Sequence, residues 1–448
     1  MRLLELDGVC FNYGSLEPWI FRDLTMSVES GSCHCISGPT GSGKSTLLRL
    51  LSGLQTRPFE GGVYRRSQLL CGLVMQDPQV QLLRQTVGAE VAFALENIGV
   101  DTEAMIPRVQ KALRRVGLFV SLDCPIGNLS LGQKYRLMIA AQLVSEPAVL
   151  LLDEPWAQLD NSGVEELQAV IRSLLAEDIA VVMSEHNPGA FADIVSHYWQ
   201  LHAGHLVPGQ FHCGHQLTVT EVKPGHQVIL SAEPFEFRYQ GDNVLFRSKQ
   251  PLTVRDGELV MLCGDNGAGK SSLLKAIAGI QSNVNPLPVK VFGQRPKTGV
   301  FGGQLGLLMQ RPNRQLFEST VIDEMSFSLR RFGLPVSFAS ELLQQLDLLS
   351  LAQRSPHTLS YGQQHLVALA SLVCYRPSLL LLDDPLAGLD GAHLDKLWFM
   401  INYLRSMGGT VILSSHRALS LASVTQEWQL TQQALRVSAL SSEQRYAG

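Results

Sequence analysis

No apolar run in the 448-residue chain is long enough to span a bilayer. Stretches such as AVLLL at 148–152 and LLLL at 379–382 fall far short of the roughly 18 to 20 residues that a membrane helix needs. Charge is scarce as well: 17% of residues are charged, the formal net charge is −4 and the pI is near 6.3. Lys and Arg are scattered, so no surface built to neutralise a phosphate backbone is indicated, and nucleic acid is not an expected partner. The eight cysteines stand singly except Cys33 and Cys35 in SCHCISG, which gives no disulfide framework and leaves reduced thiols as the expectation. The N-terminal MRLLELDGVCFNYG turns acidic by position 5 and lacks a cleavage pattern, so a secretory signal is not expected and a cytosolic chain is. What is present, 45% hydrophobic residues over this length, suffices for two domains with cores of their own.

The chain is written twice. GPTGSGKS at 38–45 and GDNGAGKS at 264–271 both fit GxxxxGK[ST], each after a strand-like apolar run and before a helical one. Lys44 and Lys270 are 226 residues apart (270 − 44), as are Tyr13 and Tyr239 (239 − 13). Gln76 and Gln310 differ by 234 (310 − 76); LSLGQ and LSYGQ, DEP and DDP, and His186 and His416 differ by 230 (416 − 186). Repeats over about 1–222 and 223–448 follow, with a Gly, Pro and His rich linker at roughly 205–228. Five histidines and a cysteine crowd HYWQLHAGHLVPGQFHCGH at 197–215; a Cys/His metal site is the alternative there, but the spacing is irregular. Each copy orders strands, P-loop, amphipathic helices and buried strands such as IAVVM (179–183), which predicts an α/β fold: a mainly parallel sheet with an antiparallel β part and a helical insertion. His186 follows the end of such a strand, where ligands of parallel sheets sit.

In a P-loop, glycines let backbone N–H groups turn toward phosphates, the lysine reaches the β and γ oxygens, and the next hydroxyl meets Mg²⁺. Candidate nucleotide-binding residues are therefore Gly38, Pro39, Thr40, Gly41, Ser42, Gly43, Lys44, Ser45 and Thr46. In the second copy they are Gly264, Asp265, Asn266, Gly267, Ala268, Gly269, Lys270, Ser271 and Ser272. Asp153 and Asp383 end runs of buried aliphatics, a costly place for a carboxylate unless a cation meets it; a structural salt bridge is the alternative. Glu154 and Asp384 follow, placed to orient or deprotonate a water attacking the γ-phosphorus.

The combination of P-loop, LSLGQKYRLMIA, LLLDEP, AQLD and SEH resembles the nucleotide-binding subunits of the ABC (ATP-binding cassette) ATPases, over nearly the whole chain and twice. The resemblance implies an ATPase with ATP and Mg²⁺ as cofactors, each ATP held between the two repeats. Site one would join Lys44, Ser45, Gln76, Asp153, Glu154 and His186 to Ser360, Gly362 and Gln363. Site two would join Lys270, Ser271, Gln310, Asp383, Asp384 and His416 to Ser130, Gly132 and Gln133, with Gln133 opening a helix whose N-terminus greets an anion. Mg²⁺ would be held by Ser45, Gln76 and Asp153 and by Ser271, Gln310 and Asp383. Tyr13 and Tyr239 would stack on adenine, a core tyrosine being the alternative; His186 and His416 would contact the γ-phosphate, unless they are core histidines.

QDPQVQLLRQTVGAEVAFALENIG after Gln76 and QRPNRQLFESTVIDEMSFSLRRFG after Gln310 share a Q-x-P-x-x-Q-L pattern. This resembles the energy-coupling-factor importers, which implies a transmembrane coupling protein and a substrate-binding membrane protein as partners. It also implies a peripheral location on the cytoplasmic face of the membrane and a vitamin or transition metal ion as cargo. Val87, Glu90, Val91 and Phe93 are the expected groove for the membrane partner, or else an amphipathic helix packed on its own domain. A sugar-importer ATPase and a soluble non-transport ATPase are the other classes. Leu131 and Tyr361 replace the signature's first glycine, Leu366 stands where the first copy has Arg136, and Gln158 stands where the second has Gly388. With Asp384 shorter than Glu154, site two is expected to be the slower.

Overall fold

The computed structural model describes residues 1–14, 19–55, 57–155, 159, 161–185, 188–209, 223–241, 244–281, 283–386, 389–416, 424–431 and 433–439. It divides into two compact units, Met1–His215 and Gln216–Gly448. Among the described residues no helix is long and apolar enough to cross a membrane.

The first unit begins with β1 (Arg2–Phe11), β2 (Phe21–Glu29) and β3 (Cys33–Ser37), and the P-loop leads into α1 (Lys44–Ser52). Then come β4 (Glu60–Arg65), β5 (Cys71–Val74), α2 (Pro78–Gln81), α3 (Val87–Asn97), α4 (Thr102–Arg115) and α5 (Leu131–Leu143). The unit closes with β6 (Val149–Asp153), α6 (Asn161–Ala176), β7 (Ala180–Ser184), β8 (His197–His202) and β9 (His205–Pro208). Strands β2-β1-β4 form an antiparallel sheet, and β5-β6-β7-β3-β8-β9 a second one, parallel except for β8 against β9.

Parallel strands covered on both faces read as continuous apolar runs, and VLLLD of β6 and AVVMS of β7 do so. Their side chains alternate with period two. Leu150, Leu152, Val181 and Met183 join a core with α3 to α6, while Val149, Leu151 and Val182 join another with α1, β1 and β2. All of these are fully buried, each contributing about 1.5 to 3 kcal/mol of apolar transfer. The register sets Asp153 opposite Ser184 and Ile36 opposite Ser184's strand end, so the P-loop, Asp153 and Ser184 meet at the carboxyl edge of one sheet.

The second unit contains β10 (Val228–Ala232), β11 (Phe235–Arg238), β12 (Val244–Ser248), β13 (Leu252–Arg255), β14 (Leu259–Gly264) and α7 (Lys270–Ile277). β15 (Val289–Val291), β16 (Leu305–Leu308), α8 (Val321–Arg331), α9 (Ser337–Gln345) and α10 (Tyr361–Val373) follow. β17 (Leu379–Leu382), α11 (Gly391–Ser406), β18 (Thr410–Ser415), β19 (Gln426–Thr431) and β20 (Ala434–Ala439) complete it. The α/β reading of each repeat holds, with one topological difference. Here the hairpin β11–β12 is joined through β20 to the main sheet, giving the order β11-β12-β20-β19-β14-β18-β17-β16.

Part of the expected linker is ordered sheet. Residues 205–208 are β9, whose His205 pairs with His202 of β8, and Val228 already belongs to β10. The hairpin turn at Ala203 and Gly204, both with positive φ, explains how a Gly and His rich segment can be strand rather than connection. Residues 210–222 lie outside the described residues. No group of metal-ligating side chains occurs among the described ones, and His197 stacks on His34 at 4.5 Å instead.

Candidate functional site

Gly43 ends the P-loop in the left-handed region (φ 101°) as N-cap of α1, and a Cβ there would meet Ile20 Cγ2 at 2.7 Å and Phe21 Cε1 at 2.9 Å. Only glycine lets the loop turn into the helix at this point. Lys44, 5% exposed, folds its Nζ back onto Gly38 O (2.9 Å) and Pro39 O (3.1 Å), and Ser42 Oγ is buried with no hydrogen-bond partner among the described residues. Phosphate oxygens entering this cradle would exchange for the lysine's carbonyl bonds and satisfy that hydroxyl. The second unit repeats it: Lys270 Nζ bonds Gly264 O and, at 2.8 Å, Asp265 O.

Asp153 sits at the end of β6. It accepts a hydrogen bond from Ser184 Oγ at 2.6 Å and another from Ser45. Burial pushes its carboxyl above the usual carboxylate range, and those two hydroxyls pull in the opposite direction. Asp383 has the same surroundings: Ser271 Oγ at 2.8 Å, Ser414 Oγ at 2.9 Å, and a carboxyl raised first by burial. A buried carboxylate with a serine hydroxyl at hand is an all-oxygen donor set of the kind that a hard divalent cation takes, so the residues fit Mg²⁺. Ser184 and Ser414 were not singled out from the sequence; the signal was there in SEH and SSH at the common 230-residue offset.

Glu154 and Asp384 both have left-handed backbone (φ 47° and 49°), which turns their carboxylates out of the strand line. Their surroundings then part. Gln76 Nε2 donates to Glu154 Oε2 at 2.7 Å. Asp384, 7% exposed, is instead within hydrogen-bond reach of His416 Nδ1 through both oxygens, at 3.0 and 3.1 Å, while Gln310 is exposed. His416 Nε2 is buried without a partner among the described residues. His186, Gln158 and Gly388 lie outside the described residues.

The signature helices begin two residues earlier than expected. Leu131 and Tyr361 open α5 and α10, with Ser130 and Ser360 as N-caps. Gln133 N donates to Ser130 Oγ (3.2 Å) and Ser130 N to Gln133 Oε1 (2.9 Å), and Ser360 and Gln363 do the same. This reciprocal capping box spends both glutamine side chains on their own helix ends. Gly132 faces Gly163 Cα at 3.8 Å from its missing Cβ, whereas Gly362 lies against the His393 ring (2.9 Å), itself held by Asp390. Tyr13 and Tyr239 flank the P-loop helices: Tyr13 OH bonds Thr46 Oγ1 at 2.8 Å and Tyr239 OH bonds Ser272 Oγ. Arg57 lies 5.5 Å over the Tyr13 ring.

The Q-x-P-x-x-Q-L pattern has a structural cause of its own. Gln81 Oε1 accepts from Met75 N (2.7 Å) and its Nε2 donates to Leu73 O (3.0 Å), bracing the segment that carries Gln76. Gln315 does this with Met309 N and Leu307 O, both at 2.8 Å. Glu90 Oε2 accepts from Leu83 N (2.9 Å) and Arg84 N (2.8 Å); Glu324 Oε2 accepts from Phe317 N and Glu318 N, both at 2.8 Å. Val87, Glu90 and Val91 therefore do not line an open groove. Val87 and Val91 have no exposed surface and Glu90 is 6% exposed, because the apolar stripe of α3 turns to the core and its acid satisfies backbone N–H groups. Phe93 lies under the Arg84 guanidinium at 4.6 Å. The exposed large apolar residues of this region include Val80, Leu83 and Ile98 in the first unit and Phe317, Phe327 and Phe332 in the second.

Comparison with known proteins gives the same picture. The ABC transporter family matches residues 21–157 and 249–387. A protein of Methanosarcina acetivorans named "Putative ABC transporter ATP-binding protein" is 28% identical over 92% of this chain and 81% of its own length. A Bacillus thuringiensis protein with that name is also 28% identical, over 92% of this chain and 87% of its own. Among solved structures, the archaeal ribosome recycling factor aABCE1, crystallised with ribosomal stalk protein aP1, has the same fold. It has a TM-score of 0.67, 19% identity, and coverage of 96% of this chain and 89% of its own. The chain belongs to the ABC transporter family and carries two tandem ATPase domains, which bind ATP with Mg²⁺ and hydrolyse it.

Proposed function

We propose that this ATPase powers an importer of the energy-coupling-factor type, driving uptake of a vitamin or transition metal ion through a separate coupling protein and a substrate-binding membrane protein. The observation that carries this reading is the doubled brace around Gln76 and Gln310. In each unit a half-buried glutamine and a buried glutamate fix the backbone beside the nucleotide-site glutamine, and the same turn presents bare apolar side chains, Leu83 (67% exposed) and Phe317 (60% exposed). A partner helix pressed there would act on a rigid segment joined directly to the catalytic edge.

In this reading each ATP is held between the P-loop of one repeat and the signature helix of the other. Lys44 and Lys270 neutralise phosphate charge. Ser45 with Asp153, and Ser271 with Asp383, would hold Mg²⁺, which when bound neutralises charge on the phosphates. Glu154 orients the attacking water and accepts its proton, and Gln76 steers that carboxylate. Ser130 with Gly132, and Ser360 with Gly362, offer helix N-termini to the γ-phosphate. His186 and His416 contact it as well. The chain would work as a peripheral subunit on the cytoplasmic face of the membrane.

The test is co-expression with any polytopic membrane proteins that neighbouring genes encode, followed by purification in detergent. The chain should be retained by them, and Leu83→Asp combined with Phe317→Asp should abolish retention at an unchanged melting temperature. A wild-type chain that is never retained disproves the assignment.

A further inference from the structure

Beside Glu154 lies a small pocket lined by Gln76, Leu131, Tyr135 and Glu154 together with Pro155 and Leu159, with room for about one water molecule. Tyr135, the fifth residue of α5, lines it and is 3% exposed, and its hydroxyl has no hydrogen-bond partner among the described residues. A buried hydroxyl left without a partner is expensive, and a pocket of this size, with Gln76, Tyr135 and Glu154 among its apolar walls, has room for one ordered water to satisfy it. The phenol lies near enough to Glu185, Asp153 and Glu154 for their charges, after burial itself, to hold its proton firmly on oxygen.

The second unit has His365 at this position (365 − 230 = 135), 1% exposed, with neither ring nitrogen partnered among the described residues. Asp384 is near enough for its charge to act on that ring. Two unlike side chains thus keep a buried, unsatisfied polar group behind the acid that follows the Mg²⁺-site aspartate. A polar residue is kept at this helix position twice, at a packing disadvantage relative to phenylalanine or leucine.

We propose that Tyr135 is a positioning residue for Glu154, donating its hydroxyl hydrogen to a water in the pocket that in turn donates to the Glu154 carboxylate. Together with Gln76 this holds the Glu154 carboxylate from two sides. The inference rests on the reading of Glu154 as the group that receives that water's proton.

The experiment is steady-state ATP hydrolysis by the full chain carrying Tyr135→Phe, which removes one oxygen and keeps the ring. Loss of one such hydrogen bond at the transition state corresponds to about a tenfold fall in kcat. KM, ATP affinity and melting temperature should stay at wild-type values. In a Glu154→Gln background the substitution should have no further effect, because the two act as a unit. Wild-type kcat in Tyr135→Phe, with turnover lost in Glu154→Gln, overturns the role of Tyr135 and leaves Glu154 standing. Wild-type kcat in both overturns the two together. A fall in kcat matched by a lowered melting temperature makes Tyr135 a packing residue and also overturns the proposal.

Discussion

Gln76 holds the Glu154 carboxylate at 2.7 Å, and among the described residues no such glutamine bond reaches the corresponding acid of the second unit, whose oxygens lie at 3.0 and 3.1 Å from His416 instead. The shorter side chain of Asp384 is thereby drawn back into a buried pair. With the backbones superposable in φ, its carboxylate stops about 1 to 1.5 Å short of the place that Glu154 reaches, a misplacement that can slow a reaction about a hundredfold. Glu154→Gln should accordingly remove nearly all steady-state ATP hydrolysis and Asp384→Asn only a minor part. The opposite ranking would mean that the second unit carries the fast site.

The braces around the nucleotide-site glutamines are worth measurable stability. Gln81→Ala leaves Met75 N–H and Leu73 C=O without their partner and should cost about 1 to 3 kcal/mol in urea unfolding, and Gln315→Ala a similar amount. Glu90→Ala, which strips two charge-assisted bonds from backbone N–H groups, should cost about 2 to 4 kcal/mol. Values within about 0.5 kcal/mol of wild type would show that the turn holds itself.

Acid should weaken the fold through two histidines. Burial, aided by His197, lowers His34 to about 4. Burial also lowers His365 to about 4, with Asp384 acting against it and His393 with it. Unfolded, both titrate near 6.5, so between about 4 and 6.5 the unfolded chain binds more protons than the folded one. Stability that is complete above pH 6.5 is therefore lost as pH falls toward 4, by on the order of 3 kcal/mol for each histidine. Asp153 and Asp383, raised by burial, act the other way, regaining stability as pH falls toward the carboxylate range. Urea midpoints at pH 7.5 and 5 would show the drop; equal midpoints would refute it.

Asp153 carries a charge that its surroundings resist. Asp153→Asn removes that charge, so the nucleotide-free variant should melt at or above the wild-type temperature. The further rise on adding Mg²⁺ and ATP, present in wild type by mass action, should be largely lost. A variant that melts lower without nucleotide but responds normally to Mg²⁺ and ATP would place the cation elsewhere.

The repeat and both phosphate cradles were legible because they depend on glycines, a lysine and a fixed offset, which leave marks in one dimension. The groove at Val87, Glu90 and Val91 was misplaced because periodicity shows that a helix has an apolar face, not which way it turns. Glu90 completed the error: an acid on such a face reads as surface until its two backbone donors are seen. The helix start at Leu131 was misread for a related reason, since Gln133 looks like a ligand residue until its amide is found on Ser130. Tyr135 and His365 left no mark, because one tyrosine opposite one histidine has no pattern until both are set beside the carboxylates.

The reciprocal caps on α5 and α10 have one more consequence. Ser130 with Gln133, and Ser360 with Gln363, consume the N-cap and third N–H groups, so the donors still pointing outward are the first two of each helix, at Leu131 and Gly132 and at Tyr361 and Gly362. Those donors are already aligned before any anion arrives. An anion docking on them requires no rearrangement of the helix end, so little ordering cost is left to be met there when it binds.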